Sequence, residues 1–169
     1  MMDLTGLHLL LTYQCTFECD HCFVWGSPQQ NGTMTLQNIQ HILDEGKTLE
    51  TVNSIYFEGG EPFLYYATLV KGVRIAAEMG YSVGMVTNGY WATSVADARN
   101  WLEPFVGLID DLTMSDDPYH WGSEEAKNGG MQKRPLLHSI FPWVRLLWHN
   151  LKAKMQLKLL DNFRLVSQL

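Results

Sequence analysis

All three cysteines of the chain fall in one short run, Cys15-Thr-Phe-Glu-Cys19-Asp-His-Cys22, with the spacing CxxxCxxC. Three cysteines scattered at random over 169 positions would take this arrangement roughly once in several thousand draws. The run reads as a metal site, because soft thiolates select iron-sulfur clusters, zinc or Cu(I). The plainer alternative is three incidental, buried cysteines. Structural zinc wants four closed ligands from Cys and His. His21 lies between the second and third cysteines, where its ring is badly placed to reach the ion its neighbours hold, so zinc is the lesser reading. A cubane of four irons held by three thiolates keeps one iron open for a substrate or cofactor.

The flanks place this loop in a repeating pattern. Leu7 to Tyr13 is an apolar run of β-compatible residues, too short to span a membrane, and it reads as a buried strand that ends at the first cysteine. Ser54 to Phe57 repeats the pattern and runs into Glu58-Gly-Gly-Glu-Pro62. There Gly59 and Gly60 permit a close backbone approach to a ligand and φ values closed to other residues, and Pro62 stiffens the exit. Tyr81 to Val86 leads into Thr87-Asn88-Gly89, a polar turn that suits a ligand. Leu108 to Met114 leads to Ser115-Asp-Asp117. Taken singly, each of these reads equally as an ordinary turn or a solvated loop.

Helical segments lie between the strands. Thr35 caps one that carries Leu36, Ile39, Ile42, Leu43 and Leu49 at helical spacing; a second runs from about Tyr66 to Met79 and stops at Gly80; a third begins at Ser94 with Asp97 at the capping-box position. Strands alternating with helices imply parallel strands joined by right-handed crossovers. With every unusual loop at a strand's C-terminal end, the fold class is α/β, a partial TIM-type (β/α) barrel of about four units.

Strand, CxxxCxxC loop, helix, strand and Gly-Gly-Glu-Pro, in that order, resemble the start of a radical S-adenosylmethionine enzyme, and the resemblance covers residues 5 to about 125. It implies that Cys15, Cys19 and Cys22 hold a 4Fe-4S cluster whose open iron is chelated by S-adenosylmethionine. It implies further that Gly59 and Gly60 receive the methionine amino group, with Glu61 adding negative charge for the ammonium. Thr87 and Asn88 would stand near the cofactor, Ser115 near its ribose or carboxylate, and His21 beside its adenine. Trp25, Tyr119, His120 and Trp121 are candidates for the substrate side, although ordinary core or surface packing accounts for them more simply. The activity implied is reductive cleavage of the cofactor to a 5′-deoxyadenosyl radical that abstracts hydrogen from a substrate. An external donor of the flavodoxin or ferredoxin type would supply the electron. The family's catalytic domain resembles six β/α units, and no fifth or sixth strand is evident here.

Composition breaks near residue 130. Residues 1–130 contain all fourteen glycines, five Lys/Arg and seventeen Asp/Glu; residues 131–169 contain no glycine, seven Lys/Arg and one acid, Asp161. The expected division is a radical S-adenosylmethionine core over 1–130 and a basic, apolar tail over 131–169, helical from about Trp143. That tail reads as a membrane-surface or partner-binding helix, or as the product of a shifted frame or gene boundary. On the latter view the chain is a catalytically incomplete fragment. A non-catalytic iron-sulfur or metal-binding module is the other alternative. The acidic core argues against nucleic acid as a required partner. No transmembrane segment, no signal peptide and no paired cysteines point to the cytoplasm, and the cysteine count leaves none for an auxiliary cluster.

Overall fold

The four apolar runs alternate in side, and that alternation decides how the sheet is covered. The structure, a computed structural model, describes residues 3–115 and the strand Val144–Leu147. The strands are β1 (Gly6–Thr12), β2 (Ser54–Gly59), β3 (Ser82–Thr87), β4 (Asp111–Ser115) and β5 (Val144–Leu147), and the helices are α1 (Leu36–Thr48), α2 (Tyr66–Glu78) and α3 (Val95–Leu102). All neighbouring strands pair in parallel in the order β1-β2-β3-β4-β5. This sequential order, with a helix between successive strands up to β4, is that of a wound barrel wall rather than of a sheet that reverses direction midway.

Leu9 and Leu11, Ile55 and Phe57, Val83 and Met85, and Leu112 and Met114 turn to one face, where they are buried with Ile39 and Leu43 of α1, Leu69, Val73 and Ala76 of α2, and Ala98 and Leu102 of α3. Period two along each strand and period near 3.6 along each helix bring these sets together. The side chains between them, His8 and Leu10, Tyr56 and Glu58, and Asp111 and Thr113, point to the other face, the inside of the barrel wall. One transverse row there is His8↔Tyr56↔Gly84↔Asp111. The His8 and Tyr56 rings stack with centroids 5.1 Å apart, and the Tyr56 hydroxyl donates to Asp111 Oδ2 at 3.1 Å. The ring crosses β3 because Gly84 is there: a Cβ at that position would lie 2.3 Å from it.

The caps form as the sequence predicts. The Thr35 hydroxyl accepts from Asn38 N–H at 3.1 Å while Asn38 Oδ1 accepts from Thr35 N–H at 3.0 Å, and the Ser94 hydroxyl accepts from Asp97 N–H at 3.1 Å. Two expectations change together: a fifth strand is present, and it lies where a helix was expected. Over Val144–Leu147, where a helix was expected from about Trp143, the backbone is a strand paired with β4. The physical reason is the open edge: the outward N–H and C=O groups of β4 need partners, and a Val-Arg-Leu-Leu run supplies a backbone suited to pairing. The rest of the 131–169 tail lies outside the described residues.

Burial ranks the expected costs of substitution. Leu43 is fully buried between α1 and the sheet, so Leu43→Ala should destabilise by about 2–5 kcal/mol through lost apolar contact and an unfilled cavity. Thr35→Ala removes one exposed cap and should cost about 1 kcal/mol. Urea unfolding of the two variants checks the order, and equal midpoints would contradict it.

Candidate active site

The cysteine loop leaves β1 and is tied back to it. Cys15 N–H donates to Ser27 O at 3.0 Å and Ser27 N–H to Tyr13 O at 3.3 Å, so residues 15–27 close on themselves beside the strand exit. Inside the loop, donors face sulfur: Phe17 N–H lies 3.5 Å from Cys15 Sγ and Gly26 N–H 3.2 Å from Cys22 Sγ. Cys22 N–H donates to Cys19 O at 2.9 Å, forming a turn between the second and third cysteines. Trp25 takes a left-handed φ of 57°, which costs a non-glycine residue roughly 1–2 kcal/mol. The residue is 82% exposed, as Phe23 is at 80%. Of the two plain placements expected for Trp25, core or surface, the structure gives the surface one.

Burial pushes the Cys15 thiol above its ordinary pKa; the Phe17 N–H hydrogen bond opposes this, and the charge of Glu61 adds to it. Left to itself this thiol stays protonated, and a coordinating cation would ionise it. Amide donors aimed at sulfur are the surroundings that ligating thiolates want. In that respect the residues fit the family's cluster. Among the described residues, no set of three Cys, His, Asp or Glu side chains is drawn together tightly enough to hold an ion.

Gly59 and Gly60 are required by a close approach, but the neighbour is the protein's own backbone. A Cβ on Gly59, whose φ is 137°, would lie 2.4 Å from Thr12 O, and one on Gly60 would lie 2.2 Å from Gln14 O. The same contact carries two hydrogen bonds, Gly60 N–H to Thr12 O at 2.7 Å and Glu61 N–H to Gln14 O at 2.8 Å. The exit of β2 thus sets the position of Gln14, and through it that of Cys15.

Glu61 turns out to be an internal clamp. Its side chain is fully buried. Oε1 accepts from Phe63 N–H at 3.0 Å and from the Thr87 hydroxyl at 2.9 Å, and Oε2 accepts from Asn88 N–H at 2.7 Å. The Thr87 hydroxyl is itself accepting from Gly89 N–H at 3.1 Å and Trp91 Nε1–H at 3.0 Å, so its proton is directed to the carboxylate. The side chain expected to face a ligand ammonium is thereby committed to joining the β2 and β3 exits. Burial pushes Glu61 up from 4.5 to about 7, against the three donors.

The remaining predicted residues gather at the same end of the sheet. Asn88 Nδ2–H donates to Thr16 Oγ1 at 2.9 Å and lies 3.6 Å from Cys15 Sγ. Ser115 ends β4, one residue past the Thr87↔Met114 pair. His21 is exposed on the cysteine loop. Asp117, Tyr119, His120 and Trp121 lie outside the described residues. Sequence reasoning missed Thr16, Trp91 and Gln14, whose Oε1 accepts from the Tyr65 hydroxyl at 2.9 Å. Position beside Cys15 was the available signal for Gln14 and Thr16, and the four-residue spacing from Thr87 was the signal for Trp91.

This geometry agrees with the comparisons to known proteins. The chain belongs to the radical SAM superfamily, whose model matches residues 9–115. A putative peptide biosynthesis protein, YydG of Bacillus subtilis, is 30% identical over 111 residues, covering 65% of this chain and 35% of that protein. An S-adenosylmethionine-dependent nucleotide dehydratase of Selenomonas ruminantium is 33% identical over 85 residues, 49% of this chain and 29% of that one. The chain therefore spans about a third of the length of these curated relatives. Among solved structures, BtrN in complex with AdoMet and 2-DOIA has the same fold, with a TM-score of 0.62 at 21% identity over 88% of this chain and 58% of that one. The fold is also that of anSMEcpe with bound AdoMet and a Cp18Cys peptide, with a TM-score of 0.55 at 17% identity over 87% of this chain and 43% of that one.

Two outcomes follow from the close contacts. Gly60→Ala places a methyl group against the Gln14 carbonyl and should displace the cysteine loop; the urea midpoint, measured against wild type, should fall by an amount equivalent to about 1–3 kcal/mol. Glu61 titrates with a folded-state value of about 7 against an ordinary 4.5, so the folded state binds more protons between the two. Its contribution to stability is full below pH 4.5 and is lost as pH rises through about 7, a change of up to roughly 3 kcal/mol. Urea midpoints of the metal-free protein between pH 5 and 8 should decline accordingly, and Glu61→Gln should flatten the decline while lowering the midpoint at pH 5, because an amide NH2 must then face a backbone N–H.

Proposed function

We propose that this chain holds a 4Fe-4S cluster on Cys15, Cys19 and Cys22 and binds S-adenosylmethionine across the C-terminal ends of β1–β4. Reductive cleavage of that cofactor would yield a 5′-deoxyadenosyl radical for hydrogen abstraction. The observation that carries the reading is the convergence of the strand exits: the Gly59-Gly60 segment is packed on the residue before Cys15, and Asn88 reaches the cysteine itself. A simple metal-binding module has no use for these additional exits. Family membership makes the cofactor and the cluster the expected pair.

The bound cluster and cofactor would supply the electron transfer and the radical; the chain's own residues hold and orient. Phe17 N–H and Gly26 N–H donate to sulfur, and the Glu61 clamp holds the β3 turn beside the loop. Thr87 is committed to that clamp, which makes Ser115 and the backbone of 59–61 the better candidates for direct cofactor contact, with His21 proposed for the adenine. An external one-electron donor of the flavodoxin or ferredoxin type would reduce the cluster, a chemistry that suits a reducing cytoplasm. Among the described residues no helix is long and apolar enough to cross a membrane.

The substrate remains outside this assignment. YydG is named for peptide biosynthesis and the Selenomonas relative for nucleotide dehydration, and these are two substrate classes that one cofactor-binding end can serve.

Anaerobic reconstitution tests the proposal. The chain should take up about four irons, and Cys15→Ala, Cys19→Ala or Cys22→Ala should abolish uptake. Adding S-adenosylmethionine should change the electron paramagnetic resonance spectrum of the reduced cluster. Stoichiometric zinc without iron would defeat the cluster assignment, and an unchanged spectrum at saturating cofactor would defeat the cofactor assignment.

A further inference from the structure

Asn88 is held at both ends of its residue. Its backbone N–H donates to Glu61 Oε2 at 2.7 Å, its Oδ1 accepts from Tyr90 N–H at 3.0 Å, and it is 5% exposed. With those contacts made, the remaining group, the Nδ2 amide, has a fixed direction: toward the cysteine loop, 2.9 Å from Thr16 Oγ1 and 3.6 Å from Cys15 Sγ. Cys15 receives Phe17 N–H from its own loop, so Asn88 is a side-chain donor brought to that sulfur from a different strand. The Glu61 clamp explains the investment of a buried carboxylate here. It holds the turn whose amide faces the thiolate.

We propose that Asn88 is a positioning residue that sets the reduction potential of the cluster through Cys15, rather than a residue that grips the cofactor. The inference rests on the cluster reading above. A hydrogen-bond donor near a ligating sulfur stabilises the state with more negative charge, so it favours the one-electron reduced cluster. In a site shielded from water the effect is larger than at a surface. The chemistry to be driven needs a strongly reducing cluster, so a donor at this sulfur adjusts how readily an external donor can load the electron. Thr16 shares the same amide, and its hydroxyl holds Nδ2 partly away from sulfur.

The experiment is a redox titration of reconstituted protein, followed by electron paramagnetic resonance, on wild type, Asn88→Ala, Asn88→Asp and Thr16→Val. Asn88→Asp keeps the acceptor for Tyr90 N–H while replacing the donor by an oxygen, so it separates the electrostatic role from the turn. The expected order of potentials is wild type highest, Asn88→Ala lower and Asn88→Asp lowest. At a fixed potential near the wild-type midpoint, the ratio of reduced to oxidised cluster should fall at least threefold in Asn88→Asp, equivalent to ~30 mV at 59 mV per tenfold. Thr16→Val should leave the potential equal to or above wild type. The S-adenosylmethionine-induced spectral change should survive in both Asn88 variants. Unchanged potentials in both would overturn the proposal, as would loss of that spectral change with the potential intact, which would make Asn88 a cofactor contact. Loss of iron from both variants would overturn it too, by making Asn88 a requirement for assembly. A wild-type protein that takes up no iron would instead defeat the cluster reading itself.

Discussion

The approach of the β2 exit to the β1 exit governs the rest of the site. Parallel strands separate at their ends unless something continues the ladder, and here two hydrogen bonds do so, from Gly60 N–H and Glu61 N–H to Thr12 O and Gln14 O. They form only because neither Gly59 nor Gly60 carries a Cβ, which would stand inside van der Waals distance of the Thr12 and Gln14 carbonyls. Once Gln14 is fixed, the next residue is Cys15. The glycines act on the cysteine loop through backbone geometry, and the loop's position is a consequence of sheet construction as much as of its own sequence.

Glu61 extends this arrangement one strand further. A carboxylate removed from water is costly unless its lone pairs are satisfied, and three donors converge on this one from the β2 exit and the β3 turn. Each is worth more for being buried, and each would be left unpaired if the acid were absent. The balance between burial and donors is what holds its pKa near neutrality. A residue of this kind adds little net stability but leaves few alternative arrangements for Thr87 and Asn88, so its main effect is on geometry.

Much of this was legible in the sequence, and the limits have physical causes. Thr35 and Ser94 marked helix starts because a capping side chain acts on the three residues next to it, a local rule. The apolar runs marked β1–β4 because period two is also local. The role of Glu61 was not legible: sequence gives its charge, whereas its direction depends on where the β3 turn falls, across a crossover of more than twenty residues. The same holds for Tyr56 and Asp111, which face each other only because Gly84 lies between them in register. The strand at Val144–Leu147 was read as helix, since four apolar and basic residues carry too little periodicity to decide, and the open edge of β4 decided it.

The inner face of the sheet differs in chemistry from the face that packs against the helices. A core layer packed on that side would need apolar residues at the alternate positions, as the helix side has. Instead the row holds His8, Tyr56 and Asp111, with His8 Nδ1 3.1 Å from Glu58 Oε1 and Thr113 Oγ1 donating to Asp111 Oδ2 at 3.1 Å. At the β1 edge, the loop at 31–34 folds against the strand through Met34 N–H to Leu11 O at 2.8 Å and the Thr12 hydroxyl to Gly32 O at 2.6 Å. It leaves a cavity of about 430 Å³ along His8, Leu10 and Thr12. Polar groups already paired with one another can stand on this face without the desolvation cost of isolated ones, so the inner face leaves the hydrophobic stabilisation of the fold to the outer one, where the helices pack.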